Sequence, residues 1–163
     1  MQWMRERLNK DEGFTLVELM VVVLIIAILI AIAIPTFLGA RRGAQDRAAQ
    51  AQVRNALVAE KAFFVDNNTY SDVAADVTQL EPNLVIDGAG LTGVALELNA
   101  ADSDVVCLTM RSESGNWYRI WESSAAGTGY AEDTTGAAAN PFAACEAVGA
   151  GNTIPGAYTA AGW

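Results

Sequence analysis

The chain contains no histidine. That absence removes the commonest general base and the commonest metal ligand in one step, and with it any Ser-His-Asp type arrangement. Cysteine is scarce, with only Cys107 and Cys145. This is too few for a thiolate zinc site and enough for a single bridge. Basic residues are nearly missing from the C-terminal part. After residue 66 only Arg111 and Arg119 face a large excess of Asp and Glu. A surface so acidic repels phosphate backbones, which excludes direct nucleic-acid binding by that part. Charge of either sign is missing altogether from residues 19–40. No phosphate-binding glycine loop, metal-ligand spacing or nucleophile–base pair occurs elsewhere, so no enzymatic function and no cofactor are expected.

What is present is sharply divided along the chain of 163 residues. Residues 1–13 balance Arg5, Arg7 and Lys10 against Glu6, Asp11 and Glu12. Residues 41–61 are basic through Arg41, Arg42, Arg47, Arg54 and Lys61, and everything beyond is acidic. The charge-free run 19–40 spans about 33 Å as helix, which matches a hydrocarbon core of about 30 Å. Three readings fit such a beginning. An ordinary secretory signal has an apolar region of about 7–15 residues, shorter than this one, although Ala31-Ile32-Ala33 resembles its cleavage site. A plain membrane anchor fits the length. The third reading is a precursor cut just before the apolar run, so that the run survives in the mature chain.

Glu18 separates these readings. A carboxylate inside an apolar span costs roughly 2.5–3.5 kcal/mol even on the lenient insertion scale. Neither a plain anchor nor a discarded signal needs it. A Glu lying at the membrane interface is the plain explanation. The sharper one is a pair with a cation at the same depth. No Lys or Arg lies between Glu12 and Arg41. Cleavage after Gly13 creates such a cation, the α-amino group of Phe14, which can meet the carboxylate of a neighbouring copy.

The stretch Gly13-Phe14-Thr15-Leu16-Val17-Glu18-Leu19 resembles the processing site of type IV prepilins and pseudopilins. There, a short charged leader ends in Gly, followed by Phe, Thr-Leu-(Ile/Val)-Glu and a long apolar run. Pro35 matches a proline typical of that run. Asp11-Glu12 departs from the basic residues that many members keep before the Gly. The resemblance covers residues 10–65 well and the rest loosely.

The resemblance implies a leader, 1–13, removed by a prepilin peptidase that also methylates the new N-terminus. It implies Gly13 and Phe14 as the processing site, with Glu18 and Phe14 acting in assembly. It also implies a homo-oligomeric filament served by an assembly ATPase and a membrane platform protein. The function so implied is that of a structural subunit of a type IV pilus, with surface roles such as adhesion or twitching motility. The alternative is a pseudopilin of a type II secretion or DNA-uptake system. A lone signal-anchored binding domain is a reading of another class. The implied location is the cytoplasmic membrane as a single-pass precursor, then an extracellular pilus or a periplasmic or wall-spanning pseudopilus. Bases flank the span on both sides, so charge counting does not orient it.

The expected fold is α+β. Residues 14–65 read as one long helix, transmembrane over 14–40, with Pro35 kinking or locally opening it. Over 41–65 the helix turns amphipathic, with Ala49, Val53, Ala56, Leu57 and Phe64 on one face that packs on the head. The Asp66-Asn67-Asn68 cluster stops it. The head, 66–163, is expected to hold a short helix near Ser71–Leu80. Strands are expected at Val94–Leu98, Val105–Arg111 and Trp117–Glu122, the last two joined as a hairpin at Ser114-Gly115-Asn116. Residues 123–163 read as irregular. Cys107 and Cys145, in a chain with an export-type N-terminus, read as one disulfide tying that segment to a strand, with two free buried thiols as the alternative. Pilins often carry such a bridge near their C-terminus. Asp102-Ser103-Asp104 and Glu132-Asp133 read as solvated acids rather than a calcium site. Asn67-Asn68-Thr69 fits a glycosylation acceptor but equally a helix end. Trp117, Arg119 and Trp121 share one strand face and read as packing.

Overall fold

The structure is a computed structural model that describes residues 13–142, 144–146 and 155–163. Residues 1–12, within the expected leader, lie outside the described residues. The chain divides into two compact units, one up to Arg41 and one from Arg42 to Trp163.

Helix α1 spans Leu16–Asn67. Its part in the first unit is apolar all round, and Leu16, Leu24, Ile32 and Phe37 are all exposed. Pro35 lies inside the helix, whose backbone continues through it. The Thr36 hydroxyl donates to the Ala33 carbonyl at 2.9 Å, whereas the carbonyl that loses its usual helical donor to Pro35 is that of Ala31. The helix starts two residues later than the sequence suggests, because Thr15 serves as its cap. It ends at Asn67, and Asn68 follows in a left-handed conformation (φ 56°), which asparagine tolerates better than most residues.

In the second unit α1 turns one face inward. Ala49, Val53, Ala56 and Leu57 are buried, as the three- and four-residue spacing requires. They pack against Val106, Leu108 and Ile120 of the sheet, with Tyr70, Val77 and Leu84 closing the cluster. Each fully buried Val or Leu here contributes about 1.5–3 kcal/mol relative to exposure. Phe64 stacks on Tyr70 at a ring separation of 4.6 Å. A short helix α2, Ala74–Leu80, follows.

The sheet is an antiparallel meander in the order β1-β2-β3-β4. Strand β1 is Ala95–Asn99, β2 is Asp102–Arg111, β3 is Trp117–Ser123 and β4 is Gly127–Asp133. Three of these strands lie where alternation and turn residues put them. β4 does not: residues 127–133 are not irregular but pair along all of β3, with Tyr130 opposite Ile120. Gly127, Gly129, Ala131, Glu132 and Asp133 have little β-propensity. Their conformation comes from the exposed hydrogen-bonding edge of β3, not from their own preference.

The opposite face of the sheet carries Trp117, Arg119 and Trp121, and the chain after β4 covers it. The indole of Trp117 donates to the Ala137 carbonyl at 2.8 Å, and that of Trp121 to the Glu146 carbonyl at 2.8 Å. The Arg119 guanidinium lies 5.1 Å from the Phe142 ring centre and 2.9 Å from Glu97. These three side chains are therefore core, as their spacing suggests. A disulfide joins Cys107 to Cys145 with a Cα separation of 5.6 Å. It fastens the covering segment to β2, beside Val105 and Trp121. The helix, the sheet and this outer layer make the second unit an α+β fold.

Candidate assembly segment at the N-terminus

Among the described residues the first unit has no fold beyond its helix, so its chemistry is that of one helix start and one apolar surface. Gly13 and Phe14 precede the helix. Nothing lies within 4 Å of where a Gly13 side chain would project, and Phe14 is 82% exposed. Among the described residues nothing crowds the peptide bond between them.

Thr15 and Glu18 begin the helix together. The Glu18 amide donates to Thr15 Oγ1 at 3.2 Å, while Glu18 Oε2 accepts from the Thr15 amide at 2.9 Å and from Thr15 Oγ1 at 2.8 Å. This reciprocal arrangement is a capping box, and it satisfies two of the orphan donors at a helix start. Such a cap is worth about 1 kcal/mol. The carboxylate also sits at the positive end of the helix dipole, which favours its charge. Charge pairing alone does not identify Thr15. The signal that does is a Thr followed three residues later by Glu at the head of an apolar run. All three bonds fall on Oε2 or the backbone, and among the described residues no donor reaches Oε1.

Beyond Glu18 the helix presents apolar side chains in every direction through residue 40, and none of them is buried. It is long and apolar enough to cross a membrane. A surface of this size without a polar face requires lipid or other apolar helices around it. Pro35 falls within this run and Glu18 at its start, so the first unit places the residues singled out by the sequence along one element.

The acidic pairs of the head have local duties. Asp102 caps the Asp104 amide at 3.0 Å and Asp133 the Thr135 amide at 2.7 Å. Among the described residues no group of three or more acids or cysteines is gathered as for a metal. Asn67 donates from its side chain to the Phe63 carbonyl at 3.0 Å, which is the helix-end role.

Residues 8–34 match the model of the prokaryotic N-terminal methylation motif. The chain is 41% identical over 68 residues to the type IV major pilin protein PilA of Myxococcus xanthus, covering 42% of this chain and 31% of that one. It is 30% identical over 73 residues to the type IV wide pilus major component PilA4 of Thermus thermophilus, covering 45% of this chain and 56% of that one. By its N-terminal segment the chain is similar to type IV pilins. The matched stretch spans less than two thirds of either relative. The likeness therefore rests on the helix and its start, while the second unit of this chain stands on its own geometry.

Proposed function

We propose that this chain is a pilin, the structural subunit of a type IV pilus, stored in the cytoplasmic membrane and assembled through helix 14–40 into an extracellular filament. The observation that carries the reading is the uncovered, all-round apolar helix that opens on Gly13-Phe14-Thr15-Leu16-Val17-Glu18. In this reading residues 1–13 are a leader, 14–40 the membrane and filament-core segment, 41–65 its amphipathic continuation and 66–163 the exposed head. A prepilin peptidase cuts after Gly13 and methylates Phe14. Oε1 of Glu18 then accepts from the Phe14 amine of a neighbouring subunit, while Oε2 keeps its cap on Thr15. Pro35 gives the helix a point of bending during extraction from lipid. An assembly ATPase and a platform protein supply the work, because helices leaving lipid for one another gain little hydrophobic energy.

Both named relatives are major components of pili, which supports a pilus rather than a pseudopilus. Electron microscopy of a sheared surface fraction, with intact-mass analysis of its subunits, tests this. Surface filaments built from a chain beginning at Phe14 are expected. A full-length chain confined to the membrane fraction contradicts the reading.

A further inference from the structure

Glu60 lies on the inward face of α1, one turn before Phe64, and is fully buried. Oε2 accepts from the Ser71 amide at 3.1 Å. Oε1 is buried and has no hydrogen-bond partner. This is costly for an ionised carboxylate, which ordinarily gathers several donors or a cation.

The groups facing Glu60 offer no cation. The loop before α2 contributes the buried Tyr70 phenol and Asp72, and α2 contributes Asp76, whose carboxylate accepts from the Ser71 hydroxyl at 2.7 Å. From the sheet, Asp104 of β2 and the buried Glu122 of β3 share Tyr70 as a neighbour with Glu60. The adjacent base on α1 is Lys61, and its ammonium sits 3.0 Å from Glu122. A negative charge on Glu60 is therefore buried with one backbone donor, an empty oxygen and acids on several sides. The neutral acid carries no charge to compensate, and its hydroxyl left without an acceptor at Oε1 costs less than a buried unpaired charge.

We propose that Glu60 is a proton-operated latch between α1 and the loop leading into α2. Protonated, it closes Ser71 against the helix as a neutral buried group. Ionised, it favours opening of residues 68–76, which lets the carboxylate reach water. Burial, helped by Asp76 and Asp72 and opposed by the Ser71 amide, raises its pKa to about 7. The folded state thus holds this proton more tightly than the open one. The closing energy is complete below the ordinary carboxylate range, declines as pH rises toward 7, and is gone above it. The chain has no histidine to titrate in the same window. The latch belongs to the head alone and does not depend on filament formation.

Amide hydrogen exchange of the full-length chain in detergent micelles at low salt, corrected for intrinsic rates, measures the opening directly. A pKa raised from the ordinary carboxylate value of 4.5 to about 7 lowers the protection of the Ser71 amide about thirtyfold between pH 5.5 and 8.5. Glu60→Gln keeps the acceptor for Ser71 and removes the proton, so protection becomes independent of pH over that range. Asp72→Asn, at an exposed position, removes a nearby negative charge and moves the wild-type transition to lower pH. It keeps the test available should Glu60→Gln not fold. Protection of Ser71 that stays flat in the wild type overturns the proposal. So does a pH dependence that persists in Glu60→Gln, or a transition unmoved in Asp72→Asn.

Discussion

Glu18 and Thr15 hold each other across the first turn of α1, each accepting a backbone amide of the other. The carboxylate that looks out of place in an apolar run is therefore a helix start as well as a charge. In the proposed assembly the two duties use different oxygens, and they respond differently to substitution.

Processing depends on the residue before the cut. Gly13 has open space around it, and the lack of a side chain lets a peptidase approach the bond. Gly13→Val should leave the full-length precursor in the membrane, with a mass larger than wild type by residues 1–13. A mature chain beginning at Ile34, the mark of ordinary signal cleavage, contradicts the pilin reading.

The Cys107–Cys145 bridge closes a loop with a sequence separation of 38, which is worth about 4 kcal/mol in the chain-entropy model. It also holds the layer that covers Trp121. Cys145→Ser should make the head protease-sensitive, with cleavage first appearing after β4. Thiol labelling of the unreduced wild-type protein should mark neither cysteine.

Much of this was legible in the sequence because hydrophobic spacing dominates it. The stripe Ala49, Val53, Ala56 and Leu57 lies buried as its period requires, and the β2–β3 hairpin turns where Ser114-Gly115-Asn116 puts it. Strand β4 was not legible, since Tyr130 is its only large apolar residue and pairing with β3 fixes the rest. The outer layer was hidden for a related reason: it is held by Trp117 and Trp121 indoles on backbone carbonyls, which carry no sequence signature. Glu60 was legible in principle. It falls four residues after Ala56 and four before Phe64, on the stripe itself, and only its polarity argued against burial.

Gly93 gives a test of packing away from the helix. A Cβ there would stand 2.4 Å from the Val85 carbonyl oxygen and 2.8 Å from its carbon. The same carbonyl accepts from the Val94 amide at 2.8 Å, so the two segments are locked at this distance. Gly93→Ala should destabilise the head by about 1–3 kcal/mol, the range for forced overpacking. Gly88→Ala, at a position with no atom within 4 Å, should change the melting temperature little. Thermal denaturation of both variants in detergent makes the comparison.

Glu18→Gln separates charge from cap. Glutamine accepts the Thr15 amide as glutamate does in a capping box, so the helix start should survive, and so should cleavage after Gly13. What is lost, in the proposed assembly, is the negative charge opposite the Phe14 amine of a neighbouring subunit. That amine is then left unpaired in apolar surroundings, and removing one partner of a buried pair commonly costs about 3–5 kcal/mol. The cost recurs at every subunit, so filaments should not form, and cleaved monomer should accumulate in the membrane. Thr15→Ala is the opposite case. It removes the cap at about 1 kcal/mol and leaves the charge, so filaments should still assemble. Electron microscopy of sheared fractions, with immunoblots of membranes from the same cells, reads both outcomes. Normal filaments from Glu18→Gln together with none from Thr15→Ala would reverse the assignment, making Glu18 a capping residue with no part in joining subunits.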